Sequence, residues 1–312
     1  MNEIGGYIEL ETRDGKPLHN SAIAINSGRN GIRYAIKAYA IKDLWVPYYT
    51  CPVVWDAISA ENCNIHFYNV ANDLLPDRNF PIDDYILYTN YFGICSGKIK
   101  SLAMKYKNLI IDNAQGFYMQ NTGIASCYSP RKFFGVSDGG YVYCQKPLKN
   151  NFLQDTSYQR FAHLLKRADC GSNFGYQDFI INDDSLIGED IKLMSNLTQK
   201  LLRGVDYDII SEKRIKNYNY LKEHLDPINL LKTSITDDVP MYYPLLIEND
   251  SLRANLVKNK IYIPMCWKNM EFVCSKDSYE LYLQKYIHPL IIDQRYNLDD
   301  MKRIVELIHE YK

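Results

Sequence analysis

Lys132 follows a proline and an arginine, precedes two phenylalanines and leads through Gly139-Gly140 into an apolar strand, in the stretch SPRKFFGVSDGGYVY at 129–143. On a loop such a lysine either snorkels, its stem on Phe133 or Phe134 and its ammonium in water, or is held in a partly apolar pocket. There desolvation lowers its pKa and leaves a nucleophilic amine for Schiff-base chemistry. Twenty residues upstream the apolar run of NLIIDNAQGF ends in Asp112. A carboxylate at the C-terminal tip of a parallel strand stands where α/β sheets gather ligand groups, although a strand-end Asp also caps turns. Gln115, three residues on, could point the same way. Further upstream, AIAINSGRNGIRYAI runs from an apolar strand through Ser27, Gly28, Arg29 and Asn30 into a helical pattern. Backbone N–H groups at such a start suit a phosphate, with Arg29 adding a charge-assisted contact; the plainer reading is a Ser or Asn helix cap.

A phosphate-binding helix start, a strand-end carboxylate and a lysine, in that order, are what a pyridoxal phosphate enzyme needs. The amine bonds the cofactor aldehyde and later shuttles protons, the carboxylate keeps the pyridine nitrogen protonated, and the helix N-terminus holds the phosphate.

These residues need a scaffold. From about residue 22 to 145, apolar runs of strand length (AIAIN, LWVP, NIHFY, YILYTN, LIIDNA, YVYC) alternate with helical patterns over 29–41, 52–60 and 98–106. Alternation of this kind predicts an α/β fold with a mostly parallel sheet flanked by helices. The polar stretch from Asp178 to Glu189 reads as a loop. Near residue 206 a second region opens with YDIISEKRIKNYNYLKEHL, followed by MYYPLLIEN, a helix at about 251–258, the apolar runs IYIP and HPLII, and a final helix ending DDMKRIVELIHEYK. We therefore expect a large domain over 15–205 and a smaller C-terminal α+β domain over 206–312, with residues 1–14 packing on the latter.

The 312 residues are 46% hydrophobic and 23% charged, an ordinary globular composition. With 36 basic and 37 acidic residues and no block of like charge, there is no electrostatic case for nucleic acid or an anionic membrane, and small-molecule ligands are expected. No basic-then-apolar leader and no membrane-length apolar run is present, which reads as cytoplasmic. The eight cysteines form no C-x-x-C pair and the six histidines no ligand spacing, so neither a metal site nor a disulfide framework is expected. The 27 tyrosines read as core and rim.

The chain resembles the DegT/DnrJ/EryC1/StrS family of pyridoxal-phosphate-dependent aminotransferases, of aspartate aminotransferase fold type I, best known for sugar-nucleotide amination. The resemblance runs in order through NSGRNGIRYAI, VPYYTCPVVWDAI, IIDNAQ, SPRKFFGVSDGG, SNLTQ and HPLIIDQRYNLDDMKRIVELI. It implies that Lys132 is the Schiff-base lysine, Asp112 the partner of the pyridine nitrogen and Gln115 a neighbour of the ring oxygen. It implies further that Gly28, Arg29 and Asn30 form the phosphate loop, that Ser129 can supply a phosphate hydroxyl, and that Asn196 reaches the phosphate of the other subunit in a homodimer with shared sites. Glutamate as amino donor and a keto sugar nucleotide as acceptor follow from the same resemblance.

The departures are specific. Cys51 stands where relatives place a ring-stacking aromatic, with Tyr48 and Tyr49 as substitutes. Cys127 replaces the serine five before the lysine, leaving Ser126 and Ser129 as alternatives. Arg29 stands where Thr is usual, and Thr198 replaces the family arginine. The chain is also shorter before the first phosphate motif and between Asp112 and Lys132. Two other readings remain: a pyridoxal phosphate enzyme acting on a non-sugar ketone, and a catalytically degenerate member that binds a ligand without turnover.

Overall fold

The computed structural model describes residues 4–312. The expected alternation folds as β1 (Ile23–Ile25), α1 (Gly28–Tyr39), β2 (Asp43–Pro47), α2 (Pro52–Ser59), β3 (Asn64–Tyr68), β4 (Tyr85–Thr89), α3 (Ser96–Lys105), β5 (Leu109–Asn113), β6 (Ala125–Tyr128) and β7 (Gly140–Cys144). These strands form one seven-stranded sheet in the order β1-β7-β6-β5-β4-β2-β3. Neighbours from β6 through to β3 are parallel, and only β7, antiparallel to both β6 and β1, runs against the rest. The mostly parallel sheet is thus as the sequence predicts. β5, LIIDN, is buried along its whole length, as a strand covered on both faces must be.

Each face has its own apolar layer. On one, Ile32, Ala35 and Ile36 of α1 and Val54 and Ile58 of α2 pack on Leu44, Val46, Leu87 and Ile110. On the other, Ile86, Tyr88 and Ile111 belong to a cluster that continues without a break into the C-terminal elements.

After β7 come α4 (Ala162–Cys170), α5 (Ser172–Asp184), α6 (Asn196–Arg203) and α7 (Tyr207–Leu225), then β8 (Tyr242–Leu246), α8 (Leu252–Lys258), α9 (Met270–Val273), α10 (Tyr279–Tyr286), β9 (Ile287–Ile291) and α11 (Leu298–Tyr311). β8 and β9 make a two-stranded antiparallel sheet. Leu221 and Leu225 of α7, Leu245, Leu290, and Ile304 and Ile308 of α11 bury it against the large sheet's second layer. Local signals set the helix starts: Ser195, Asp206 and Ser278 accept backbone N–H groups of α6, α7 and α10, and Asn297 with Asp300 forms a capping box on α11. HPLII becomes β9, whereas IYIP pairs with no strand among the described residues.

Residues 1–3 of the N-terminal segment lie outside the described residues. Beyond them, Glu9 pairs with Lys200 at 2.8 Å, Asp14 with Arg203 at 3.0 Å and Arg13 with Asp206 at 3.5 Å, so the segment follows α6 to the cap of α7.

One expectation is overturned. The stretch from Asp178 to Glu189 is helical up to Asp184, as the second half of α5. Its apolar residues carry no periodic signal because Phe174, Tyr176 and Ile181 are exposed. The helix forms by docking on α4: at Gly175 a Cβ would lie 2.5 Å from the carbonyl oxygen of His163, so only glycine permits the approach.

Two buried histidines carry a pH prediction. His19 and His288 are 5% and 1% exposed, and burial pushes each pKa down to about 4. His19 is anchored by Phe117 O at 2.7 Å, whereas both ring nitrogens of His288 are without a partner among the described residues. Between pH 6.5 and 4 the unfolded chain takes up a proton that the folded chain refuses. The stability present above pH 6.5 is therefore lost as pH falls through that window, up to about 3 kcal/mol for each histidine. Urea unfolding at pH 7 and pH 5 measures it: the loss should be smaller in His288→Phe than in the unaltered protein. An equal loss in both would refute the assignment.

Candidate active site

The C-terminal ends of β1, β2, β4, β5 and β6 lie along one edge of the sheet, and the predicted residues follow them. The C-terminal end of β5 carries Asp112, 7% exposed, whose Oδ1 accepts from Ala114 N at 2.9 Å and whose carbonyl accepts from Asn90 N at 2.9 Å. Burial pushes the Asp112 carboxyl up; the Lys132 ammonium and the Ala114 N–H pull it back. A cation beside it would add to the ionising side of that balance.

Lys132 ends a single 3-10 turn, Pro130–Lys132. Its side chain is exposed, whereas Phe133 and Phe134 are buried among Phe117, Tyr141 and Tyr207. The apolar surroundings that the sequence advertises therefore hold the two phenylalanines and leave the amine free. The ammonium also pulls down the Cys51 and Cys266 thiols, whose pKa values burial raises, that of Cys266 to about 12. Asp112, Cys51, Cys266 and Lys132 thus share one locality.

At the start of α1, Ser27 accepts from Asn30 N at 3.3 Å, so the cap reading holds for the serine. Gly28 lies against the lysine's loop: a Cβ there would be 3.2 Å from Ser129 Cβ. At Gly140 a Cβ would come within 2.4 Å of the Ser27 carbonyl group, which explains the glycine at the mouth of β7. Gly28, Arg29, Ser129 and Lys132 are thereby brought together.

Other expected residues turn elsewhere. The Asn30 amide donates to Asn26 Oδ1, Glu189 O and Asp190 O. Gln115 Oε1 accepts from Phe92 N at 2.6 Å, and Ser126 Oγ donates to Thr122 O at 2.7 Å. Cys127 packs against Gly31 as a neutral thiol whose pKa burial raises well above the usual value. Thr198, fully buried, donates to Asp138 and faces no open site. Asn196 is exposed at the first position of α6, and Ser195, not Asn196, caps that helix. Tyr48 stacks on Phe67 with ring centroids 4.6 Å apart, and Tyr49 is buried against Tyr91 and Trp267.

Nothing in the sequence hints at the clamp on the lysine's loop. Gln294 Nε2 donates to Phe133 O at 2.7 Å, and its Oε1 accepts from Arg214 Nε at 3.1 Å. The Arg214 guanidinium lies 4.5 Å over the Phe133 ring. A residue of α7 and one after β9 thus hold the residue next to Lys132; only the unusual burial of an arginine in a helix, invisible in sequence, marks it. Among the described residues no helix is long and apolar enough to cross a membrane, and no group of three or more His, Cys, Asp or Glu is placed to hold a metal ion.

No protein-family model and no curated protein matches the sequence. Solved structures do match. DesV from S. venezuelae, in complex with a ketimine intermediate, has a TM-score of 0.66 and 17% identity over 93% of this chain and 84% of its own. A DegT DnrJ EryC1 StrS aminotransferase from Brucella abortus has a TM-score of 0.60 and 14% identity, over 93% and 85%. The fold is that of the DegT/DnrJ/EryC1/StrS aminotransferases. NtdA from Bacillus subtilis, with bound cofactor PMP, shares it at a TM-score of 0.65 and 14% identity, over 92% of this chain and 72% of its own. The fold expectation, type I with a mostly parallel sheet, is met.

Proposed function

We propose that the protein is a pyridoxal-phosphate-dependent aminotransferase that carries an amino group from glutamate to a keto sugar nucleotide. The observation that carries this reading is the buried Asp112 carboxylate at a strand tip, in the field of the exposed Lys132 amine, with the α1 N-terminus and Arg29 beside the same loop. The donor set fits the cofactor: a carboxylate for its ring nitrogen, an amine for its aldehyde, and N–H groups, Ser129 and a guanidinium for its phosphate. Bound pyridoxal phosphate supplies an aldehyde and an electron-withdrawing ring through which an amino group can be exchanged between two substrates.

Asp112 would hold the positive charge of the ring nitrogen. Lys132 Nζ would fix the cofactor covalently, then, once released, move a proton at the substrate carbon. Asn196, exposed and free of capping duty, is available to the phosphate of a second copy, which supports a homodimer with shared sites. Residues 15–205 form the cofactor domain in this reading and 206–312 the smaller one.

The test is direct. The purified protein should take up pyridoxal phosphate, release 2-oxoglutarate when given glutamate, and then aminate keto sugar nucleotides in preference to simple keto acids. Uptake with no release of 2-oxoglutarate from glutamate, and no amination of any acceptor, would leave a ligand-binding relative instead; amination of simple keto acids alone would remove the sugar nucleotide from the proposal.

A further inference from the structure

Two guanidiniums converge where the lysine's loop meets the first turn of α1. Arg29 Nη2 and Arg131 Nη2 lie 4.0 and 3.0 Å from one oxygen, Oδ1 of Asp183 near the end of α5. The arginine side chains are 13% and 14% exposed, the aspartate 45%. Two largely buried cations therefore share one half-exposed carboxylate, and the cluster keeps an excess positive charge. Arg131 Nε is buried with no partner among the described residues. Burial pulls the Arg131 guanidinium down and the neighbouring Arg29 adds to that, so the pair is electrostatically unfavourable with Asp183 as its nearest counter-charge.

What would relieve it is a compact dianion. The α1 N-terminus at Gly28 packs against Ser129 in the same loop, so N–H groups and a serine stand beside two forked cations. A phosphate monoester matches that set in charge and brings three acceptor oxygens, whereas a carboxylate brings a single charge and two.

We propose that Arg131 is a second guanidinium of the cofactor-phosphate site, acting with Arg29, and that Asp183 is the positioning carboxylate that orients the pair and limits its positive charge. This rests on the reading of the protein as a pyridoxal phosphate enzyme. It also accounts for α5, the helix with no visible sequence signal, since that helix delivers Asp183 to the site.

The experiment compares pyridoxal phosphate with pyridoxal, which has the aldehyde and ring but no phosphate, by equilibrium dialysis against the unaltered protein and its variants. Arg131→Gln should raise the dissociation constant for pyridoxal phosphate by about 10- to 100-fold and leave that for pyridoxal within about twofold. Arg131→Lys, which keeps the charge and loses the fork, should fall between and serves if the glutamine variant does not fold. Asp183→Asn keeps an acceptor for Arg131 but removes the competing charge, so pyridoxal phosphate should bind a few-fold tighter. Equal losses for both ligands in the Arg131 variants, or weaker binding of both in Asp183→Asn, would mean that the cluster merely ties α5 to the loop, and would overturn the proposal while the unaltered protein still binds the cofactor. If the unaltered protein binds neither ligand, the cofactor reading and this inference fall together.

Discussion

Under the proposed function, Lys132→Ala is expected to lower turnover by about a thousandfold or more, because among the described residues Lys132 is the amine that acts on the Asp112 carboxyl and would fix the cofactor and move the proton. Its near neighbours in the same field, the half-buried Cys51 and the buried Cys266, are thiols whose pKa values desolvation raises, and they cannot replace it as bases near neutral pH. Borohydride treatment supplies a second readout: it should attach the cofactor irreversibly to the unaltered protein and not to the alanine variant. Asp112→Asn should behave differently. It leaves Lys132 in place, so covalent attachment persists, but a neutral amide cannot hold the ring nitrogen protonated by its charge. Turnover should drop by roughly two orders of magnitude while bound cofactor remains. Wild-type turnover in either variant, or borohydride attachment in Lys132→Ala, would remove these residues from their roles.

How much of this is legible in the sequence depends on distance along the chain. The order of Asp112 and Lys132 can be read because the two lie twenty residues apart and the apolar strand ending at Asp112 and the lysine's loop with its Gly-Gly turn each carry a signal, although the strand between them does not. Gly140 is legible as part of a Gly-Gly turn, although its reason, contact with the Ser27 carbonyl, is not local. The Gln294–Phe133 bond joins residues 161 apart and is a matter of tertiary packing, for which one sequence holds no pattern. β6, ASCY, escapes a reading of the sequence because four residues of mixed polarity between two longer apolar strands show neither alternation nor a hydrophobic run. In α5 the failure has the opposite cause: its apolar residues are present but face outward, so the helical period has no buried stripe to reveal it. The resemblance gives the side chains of Asn30 and Gln115 roles toward a ligand; the Asn30 amide and Gln115 Oε1 are bonded to backbone, which a motif match does not register.

Tertiary packing also decides the role of Asp138, a residue between the lysine's loop and β7. It is fully buried and accepts from Ser195 N at 2.9 Å, from Ser195 Oγ at 2.8 Å and from Thr198 Oγ1. Ser195 in turn caps α6, its Oγ accepting from Thr198 N at 3.2 Å, and lies 2.6 Å from Ser157 Oγ. One carboxylate therefore orients the cap of the helix that presents Asn196, and the positive end of that helix compensates its charge. Asp138→Ala strands a fixed backbone donor and two hydroxyls in a dry site, and should destabilise the fold by about 3–5 kcal/mol. Asp138→Asn should cost less, because its carbonyl can still serve Ser195 N while its NH2 finds only hydroxyls already committed as donors or acceptors. Thr198→Val removes one bond of three and should cost about 1 kcal/mol. Urea unfolding at neutral pH measures all three. The decisive feature is their order: an alanine variant as stable as Thr198→Val would show that water or a shifted helix replaces the carboxylate, and that the cap of α6 does not depend on Asp138.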